Sequence, residues 1–300
     1  MIYDLIDPGP EIAYLRTTMM EQKTIATPVS CQGVGLHTGQ PASLKIWPAP
    51  PDQGIVFIRS DLKRPELIPA RCENIRSTQN ASTIGVNGTR ISTVEHLLAA
   101  LYGMRIDNVV IEVQGPEVPI MDGSAEPFAE LLQAAGVARQ SRRRRKLIVT
   151  RTVRVAEEDK WAEIRPAPDF RVHSTISFDH PAIGDQTLEI EFINGNFREE
   201  ISPARTFGFL HEVQALQKMG LAKGGSFQNA ILLDFSRVLN PEGLRFPDEF
   251  VRHKILDVLG DLMLLGLPIQ GHYHGFKSGH AMNLKLVQAL LQDHSAYDII

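Results

Sequence analysis

Two periods of hydrophobic and polar positions run through the chain, and they predict its elements. Ala42–Trp47 has the two-residue alternation of a strand with one buried face, and the β-branched run Asn108–Val113 also reads as a short strand. Between them Val94, Leu97, Leu98 and Leu101 recur at i, i+3, i+4 and i+7, which predicts a helix from Thr93 to Tyr102. Another helix is expected from Pro127 to Ala135. Further on, Leu147–Thr150, Trp161–Arg165, Val172–Phe178 and Leu188–Phe192 read as strands. His211–Met219, Pro247–Leu265 and Met282–Asp293 read as helices.

Strands followed by helices, twice over, imply two α+β units in tandem. Residues 1–20 read as an N-terminal extension, because Asp7-Pro8-Gly9-Pro10 interrupts any periodic pattern. The first unit then spans 21–140 and the second 147–300. Between them Ser141-Arg142-Arg143-Arg144-Arg145-Lys146 repels itself and is expected as a solvated basic linker over 141–146. No residue-level repeat relates the halves.

Composition narrows the function. The chain has 300 residues, 43% of them hydrophobic, so it can build a sizeable core without staples. A formal charge of -4 supplies no basic field for a polyphosphate, which argues against nucleic acid and for a small ligand. Cys31 and Cys72 have no CxxC spacing, so reduced thiols are expected. The first residues lack a basic region followed by an apolar run. No window approaches the ~18 apolar residues of a spanning helix, so a cytoplasmic protein is expected.

The segment Asp248–Leu265 carries the strongest chemical signal. Its apolar residues, from Phe250 and Val251 to Met263 and Leu265, cover nearly the whole helix circumference. Yet His253, Asp257 and Asp261 fall at i, i+4 and i+8, one stripe about 12 Å long. Polar groups on a mostly buried helix need partners. Either a metal beneath His253 and Asp257 or an ordinary His to Asp hydrogen bond on a wet face provides one, and the residues alone leave both open. His96 points away from the apolar stripe of its own helix. Its neighbour Glu95 has a competing use, because Ser92-x-x-Glu95 is a capping box. Two imidazoles and a carboxylate with a fourth position open to water form a ligand set that recurs at catalytic zinc.

The strings Ile91-Ser92-Thr93-Val94-Glu95-His96-Leu97 and Phe250-Val251-Arg252-His253-Lys254-Ile255-Leu256-Asp257 resemble the two metal motifs of the UDP-3-O-acyl-N-acetylglucosamine deacetylases. Further strings match the same family in the same order, over residues 24 to 295. They are Gly33-Val34-Gly35-Leu36-His37-Thr38-Gly39, Pro119-Ile120-Met121-Asp122-Gly123-Ser124, Ala204-Arg205-Thr206-Phe207-Gly208-Phe209, Gly243-Leu244-Arg245-Phe246 and Phe276-Lys277-Ser278-Gly279-His280-Ala281. The resemblance implies an α+β fold of two tandem domains, each a layered sheet-and-helix sandwich, with the active site between them. It also implies one catalytic Zn2+ held by His96, His253 and Asp257. Glu95 would act as base on water at the metal, His280 as acid and Thr206 as oxyanion donor. Asp261 would orient His280.

The substrate implied is UDP-3-O-acyl-N-acetylglucosamine, deacetylated in the committed step of lipid A biosynthesis. Lys160, Lys254, Phe207 and His37 are the expected substrate-binding residues; the two lysines have a bland alternative as solvated side chains, and His37 as an ordinary loop histidine. The region Gly208–Leu232 is apolar enough to form the acyl passage. Polar Gln79 and Asn80 depart from the apolar residues common in the family near that place. A monomer with transient contact with the inner membrane surface is expected. A zinc amidase acting on another N-acylated sugar and a non-catalytic UDP-sugar-binding protein are the competing readings.

Overall fold

Alternation along Pro41–Pro48 becomes one face of a sheet: Ala42, Leu44 and Ile46 are buried while Ser43, Lys45 and Trp47 are only partly covered. The computed structural model describes residues 21–192 and 195–300, so the expected extension 1–20 lies outside the described residues. Pro41–Pro48 pairs antiparallel with Val29–Val34 on one side and Val109–Gln114 on the other. Ile55–Arg59 runs parallel to Val109–Gln114, and Leu67–Pro69 forms the far edge of this five-stranded sheet. A three-stranded sheet of Ile75–Ser77, Thr83–Val86 and Thr89–Ile91 leads into helix α1, Glu95–Gly103. Helix α2, Glu126–Ala135, follows with proline in its first turn, where the missing N–H loses no bond.

The expected basic linker has more structure than a solvated run. Ser141–Arg143 complete the strand Val137–Arg143, which pairs antiparallel with Glu21–Ile25. Arg144 pairs with Asp107 at 2.7 Å, and Lys146 exchanges backbone hydrogen bonds with Ile300. Strand pairing satisfies the backbone groups, and the arginine side chains still reach water.

The second half builds a seven-stranded sheet around Ile269–Phe276. That strand pairs antiparallel with Lys160–Arg165 and parallel with Phe170–Phe178, which pairs in turn with Gly184–Glu191. Between these strands in sequence come α3 (Phe197–Glu200), α4 (Leu210–Lys218) and α5 (Glu249–Leu262). Phe207–Phe209 and Ile231–Leu233 form a small parallel pair. Helix α6, His280–Gln292, follows the central strand. The architecture is thus mixed α+β. Among the described residues no helix is long and apolar enough to cross a membrane.

One core cluster joins Leu97, Leu98 and Leu101 of α1 to Ile255, Leu256 and Leu259 of α5. The two helices cross so closely that a Cβ on Gly260 would lie 2.2 Å from the Glu95 carbonyl oxygen. Only glycine fits there. In Gly260→Ala, the helix propensity gained, about 0.5–1 kcal/mol, is outweighed by an overpacking cost of about 1–3 kcal/mol. The midpoint of urea or thermal unfolding should therefore fall; an unchanged midpoint would mean that the crossing can open without strain.

Candidate metal centre and active site

Helix α5 stacks His253 over Asp257, and the crossing with α1 delivers His96 from the other half of the chain. One ligand atom from each of the three lies within 4.8 Å of the others, and all three side chains are buried. His253 Nδ1 donates to the Ala204 carbonyl at 3.0 Å, which leaves Nε2 without a proton in the neutral ring. That bare nitrogen faces Asp257 Oδ1 at 3.4 Å. Among the described residues Asp257 Oδ1 has no hydrogen-bond partner, nor has His96 Nδ1. Burial holds His253 below its ordinary pKa. Burial and the nearby His253 push His96 down to about 3. Asp257 would be raised by burial, but Lys254 and the imidazoles hold it well below the usual carboxylate range. Neutral imidazole lone pairs beside an ionised carboxylate, buried and unpartnered, repel one another unless a cation lies between them. The donor set fits zinc.

Glu95 and His280 flank this cluster. Glu95 is the first residue of α1, and Thr93, with φ +58, is in the left-handed region and outside the helix. The helix thus begins two residues later than its periodicity predicts, and no side chain caps it. Ser92 Oγ instead pairs with Thr83 Oγ1 at 2.8 Å. The capping box is not formed, and the Glu95 carboxylate turns inward, accepting from the Ser82 N–H at 3.1 Å and lying 3.6 Å from His280 Nε2. Burial, partly opposed by His280, pushes Glu95 up to about 7.

His280 starts α6, where the helix dipole disfavours a cation by about 0.3–1 kcal/mol. Burial disfavours it further. Asp261, Asp257 and Glu95 more than offset both, and raise His280 to about 10. Its Nδ1 donates to Asp261 Oδ2 at 2.9 Å. Asp261 is wholly buried and also accepts from Ser82 Oγ at 2.6 Å and Asn283 Nδ2 at 2.8 Å.

These groups open into a cavity of about 500 Å³ that Thr206, Phe207, His37 and Lys254 also line. Thr206 is fixed at both backbone ends, donating to the Gly123 carbonyl and accepting from the Ile231 N–H. Phe207 packs edge-on against Phe250 at 5.0 Å. Lys254 Nζ donates to Asp257 Oδ2 at 2.9 Å and lies 5.2 Å from the Phe207 ring centre. Phe209, Leu210, Val213, Leu216, Ala222 and Leu232, from the segment expected to form an acyl passage, line the cavity. Asn80 lines it, whereas Gln79 does not. Lys160 stands apart from it. That residue is exposed on the hairpin whose Asp159 pairs with Lys277 at 2.6 Å, three residues before His280.

Sequence reasoning missed Glu117. Its buried carboxylate accepts from the His37 and Thr38 N–H groups at 2.9 Å and from the Thr38 and Thr93 hydroxyls at 2.8 Å. It ties the glycine-rich loop to the strained residue before α1. Ser82 and Asn283, the other two donors to Asp261, were missed as well. A carboxylate whose partners are 80 and 24 residues away leaves no local pattern.

Residues 22–292 match the protein-family model LpxC, described as UDP-3-O-acyl N-acetylglycosamine deacetylase. Among curated relatives, a protein of Myxococcus xanthus (strain DK1622) is 52% identical over 286 residues, covering 95% of this chain and 91% of its own. One from Psychrobacter cryohalolentis is 50% identical over 285 residues, 94% of this chain and 89% of its own. One from Anaeromyxobacter dehalogenans is 49% identical over 279 residues, 93% and 90% of the two chains. All three are called UDP-3-O-acyl-N-acetylglucosamine deacetylase.

His253→Ala and Asp257→Ala should each lower the divalent metal bound per chain, because each removes one buried donor. Elemental analysis of protein purified without chelator measures it. Full stoichiometry in either variant would remove that residue from the ligand set.

Proposed function

The chain belongs to the UDP-3-O-acyl-N-acetylglucosamine deacetylase family, and from that membership we propose the assignment of its site residue by residue. It is a zinc-dependent amide hydrolase of lipid A biosynthesis, releasing acetate from UDP-3-O-acyl-N-acetylglucosamine. The observation that carries the assignment is the unprotonated His253 Nε2 facing unpartnered Asp257 Oδ1, beside the facing Glu95 and His280.

His96, His253 and Asp257 would hold the zinc, which when bound supplies Lewis acidity to the amide carbonyl and to water. Glu95 takes the proton of the attacking water as its oxygen bonds to the acetyl carbon. Its burial favours this uptake by making the ionised form a stronger base. His280 delivers a proton to the sugar nitrogen as the C–N bond breaks, leaving acetate and a free amine. Asp261 fixes the His280 ring through Nδ1, so the proton to be given sits on Nε2, the side facing Glu95. Thr206 donates to the oxyanion.

Phe207, His37 and Lys254 take the sugar-nucleotide, and the apolar side chains of 208–232 take the acyl chain. Lys160 meets the diphosphate where the substrate leaves the cavity, a reading supported by its hairpin's ion pair to the loop before His280. We read the chain as two α+β units, 21–140 and 147–300, joined by 141–146, with the site between them. The support is that α1 supplies Glu95 and His96 while α5 and α6 supply the rest. The enzyme acts as a cytoplasmic monomer, meeting the inner membrane surface only transiently.

Glu95→Ala and His280→Ala should each keep their zinc and lose on the order of 10²–10⁴ in kcat, the range for a general acid or base. Near-normal turnover by Glu95→Ala would overturn the mechanism. Lys160→Ala should weaken inhibition by UDP about tenfold, a charge-assisted hydrogen bond's worth. Equal inhibition of wild type and variant would move the diphosphate elsewhere.

A further inference from the structure

A larger cavity, about 620 Å³, lies outside the catalytic site and plays no part in the mechanism above. Its wall combines two chemistries. Phe170 and Phe197 are buried, and Phe170 stacks on Phe192 at 5.6 Å and meets Tyr102 edge-on at 5.4 Å. Around them stand Arg105, Arg143, Arg144, Arg145 and Lys146, and among the described residues no Asp or Glu lines the cavity. Arg143 and Arg145 are exposed, which sets the charges outward of the aromatic interior.

Two of the cations are already occupied: Arg144 pairs with Asp107, and Lys146 Nζ donates to Gln270. Arg105, Arg143 and Arg145 make no ion pair among the described residues. Crowding like charges is unfavourable. Its effect reaches neighbouring Lys23, held below its ordinary pKa by burial and by Arg105 and Arg144. In a chain of net charge -4, three cations without an ion pair among the described residues, set around an apolar cavity, break the local rule that charges are paired or dispersed. A bound anion would restore it.

The interior selects what the anion carries. Asn196 offers a guest no free amide donor, because its Nδ2 already donates to the Glu191 carbonyl and to Glu200 Oε1. A polar ring such as a nucleobase would lose hydrogen bonds to water there, whereas an apolar chain loses none. The volume is that of an ordinary small-molecule site. We propose that this cavity binds an amphiphile with one apolar chain and an anionic head, the chain against Phe170, Phe192 and Phe197 and the head on Arg105, Arg143 and Arg145. The site is separate from the acyl passage of the catalytic cavity, and its ligand is not the substrate.

Calorimetric titration with dodecyl phosphate and with lauric acid, both below micelle formation, tests this, with dodecanol and inorganic phosphate as controls. Both amphiphiles should bind, and the controls at least tenfold more weakly. Arg105→Glu/Arg143→Glu and Phe192→Asp should each weaken amphiphile binding at least tenfold while kcat/KM for deacetylation stays within twofold. That combination separates the event from binding in the catalytic cavity. Binding of either head supports the proposal, and the ratio of the two affinities tells a phosphate from a carboxylate ligand. Inorganic phosphate or dodecanol binding as tightly as the amphiphiles would overturn it, as would amphiphile affinity unmoved by charge reversal. Should the double variant lose activity through misfolding, Arg145→Glu, at an exposed position, takes its place under the same criteria.

Discussion

Everything chemical in this molecule depends on how closely α1 can approach α5. Gly260 presents no side chain to the Glu95 carbonyl, so the first turn of α1 settles against the C-terminal part of α5. That contact puts His96 beside His253 and Asp257, and Glu95 beside His280. A methyl group in that gap would separate donors that must meet within a few ångströms. The apolar cluster of both helices around the crossing then holds the distance, since packed interiors do not deform continuously.

The same crossing buries five ionisable groups, Glu95, His96, His253, Asp257 and Asp261, in the core, where each would be unfavourable alone. They are tolerable only as a set. Asp261 is matched by three donors, from Ser82, Asn283 and His280, and its charge keeps an imidazolium at a helix start that would otherwise reject one. Asp257 is matched by Lys254 on one oxygen and left bare on the other. Asp257 Oδ1 and His96 Nδ1 lack partners among the described residues, as does His37 Nε2 of the same cavity, and local rules are broken where function requires it.

How much of this was legible in the sequence follows from distance along the chain. His253, Asp257 and Asp261 share one helical stripe, so a periodic reading brings them to one face before any coordinates exist. Glu95 was ambiguous for a definite reason: Ser92-x-x-Glu95 is a sound capping signal, and what defeats it is the left-handed backbone of Thr93, a conformation a β-branched residue rarely takes. Thr93 donates to Glu117, and that partner lies beyond any local window. The strands and helices that the pattern names lie within about four residues of the observed ends, but short or mixed-polarity strands such as Val29–Val34, Ile55–Arg59, Val137–Arg143 and Val153–Glu157 carry too weak an alternation to be singled out. The run 141–146 was read by charge alone, and charge says nothing of the backbone pairing of Glu21–Ile25 with Val137–Arg143. Motif resemblance supplied His280 and Thr206, because the elements that carry them meet only through tertiary packing.

The position of Ile269–Phe276 in its sheet bears on how the protein is made. It is the central strand, yet it is synthesised long after Lys160–Arg165 and Phe170–Phe178, two of the three strands it joins. At roughly 5–20 residues per second, a ribosome leaves the facing edges of those strands unpaired for on the order of ten seconds. During that interval the nascent second half offers open strand edges, the template on which chains pair wrongly with one another. The first half has no such delay, since Val109–Gln114 completes its five-stranded sheet early. Its α1 must nevertheless wait for α5, so the catalytic site is among the last parts of the chain to acquire its shape.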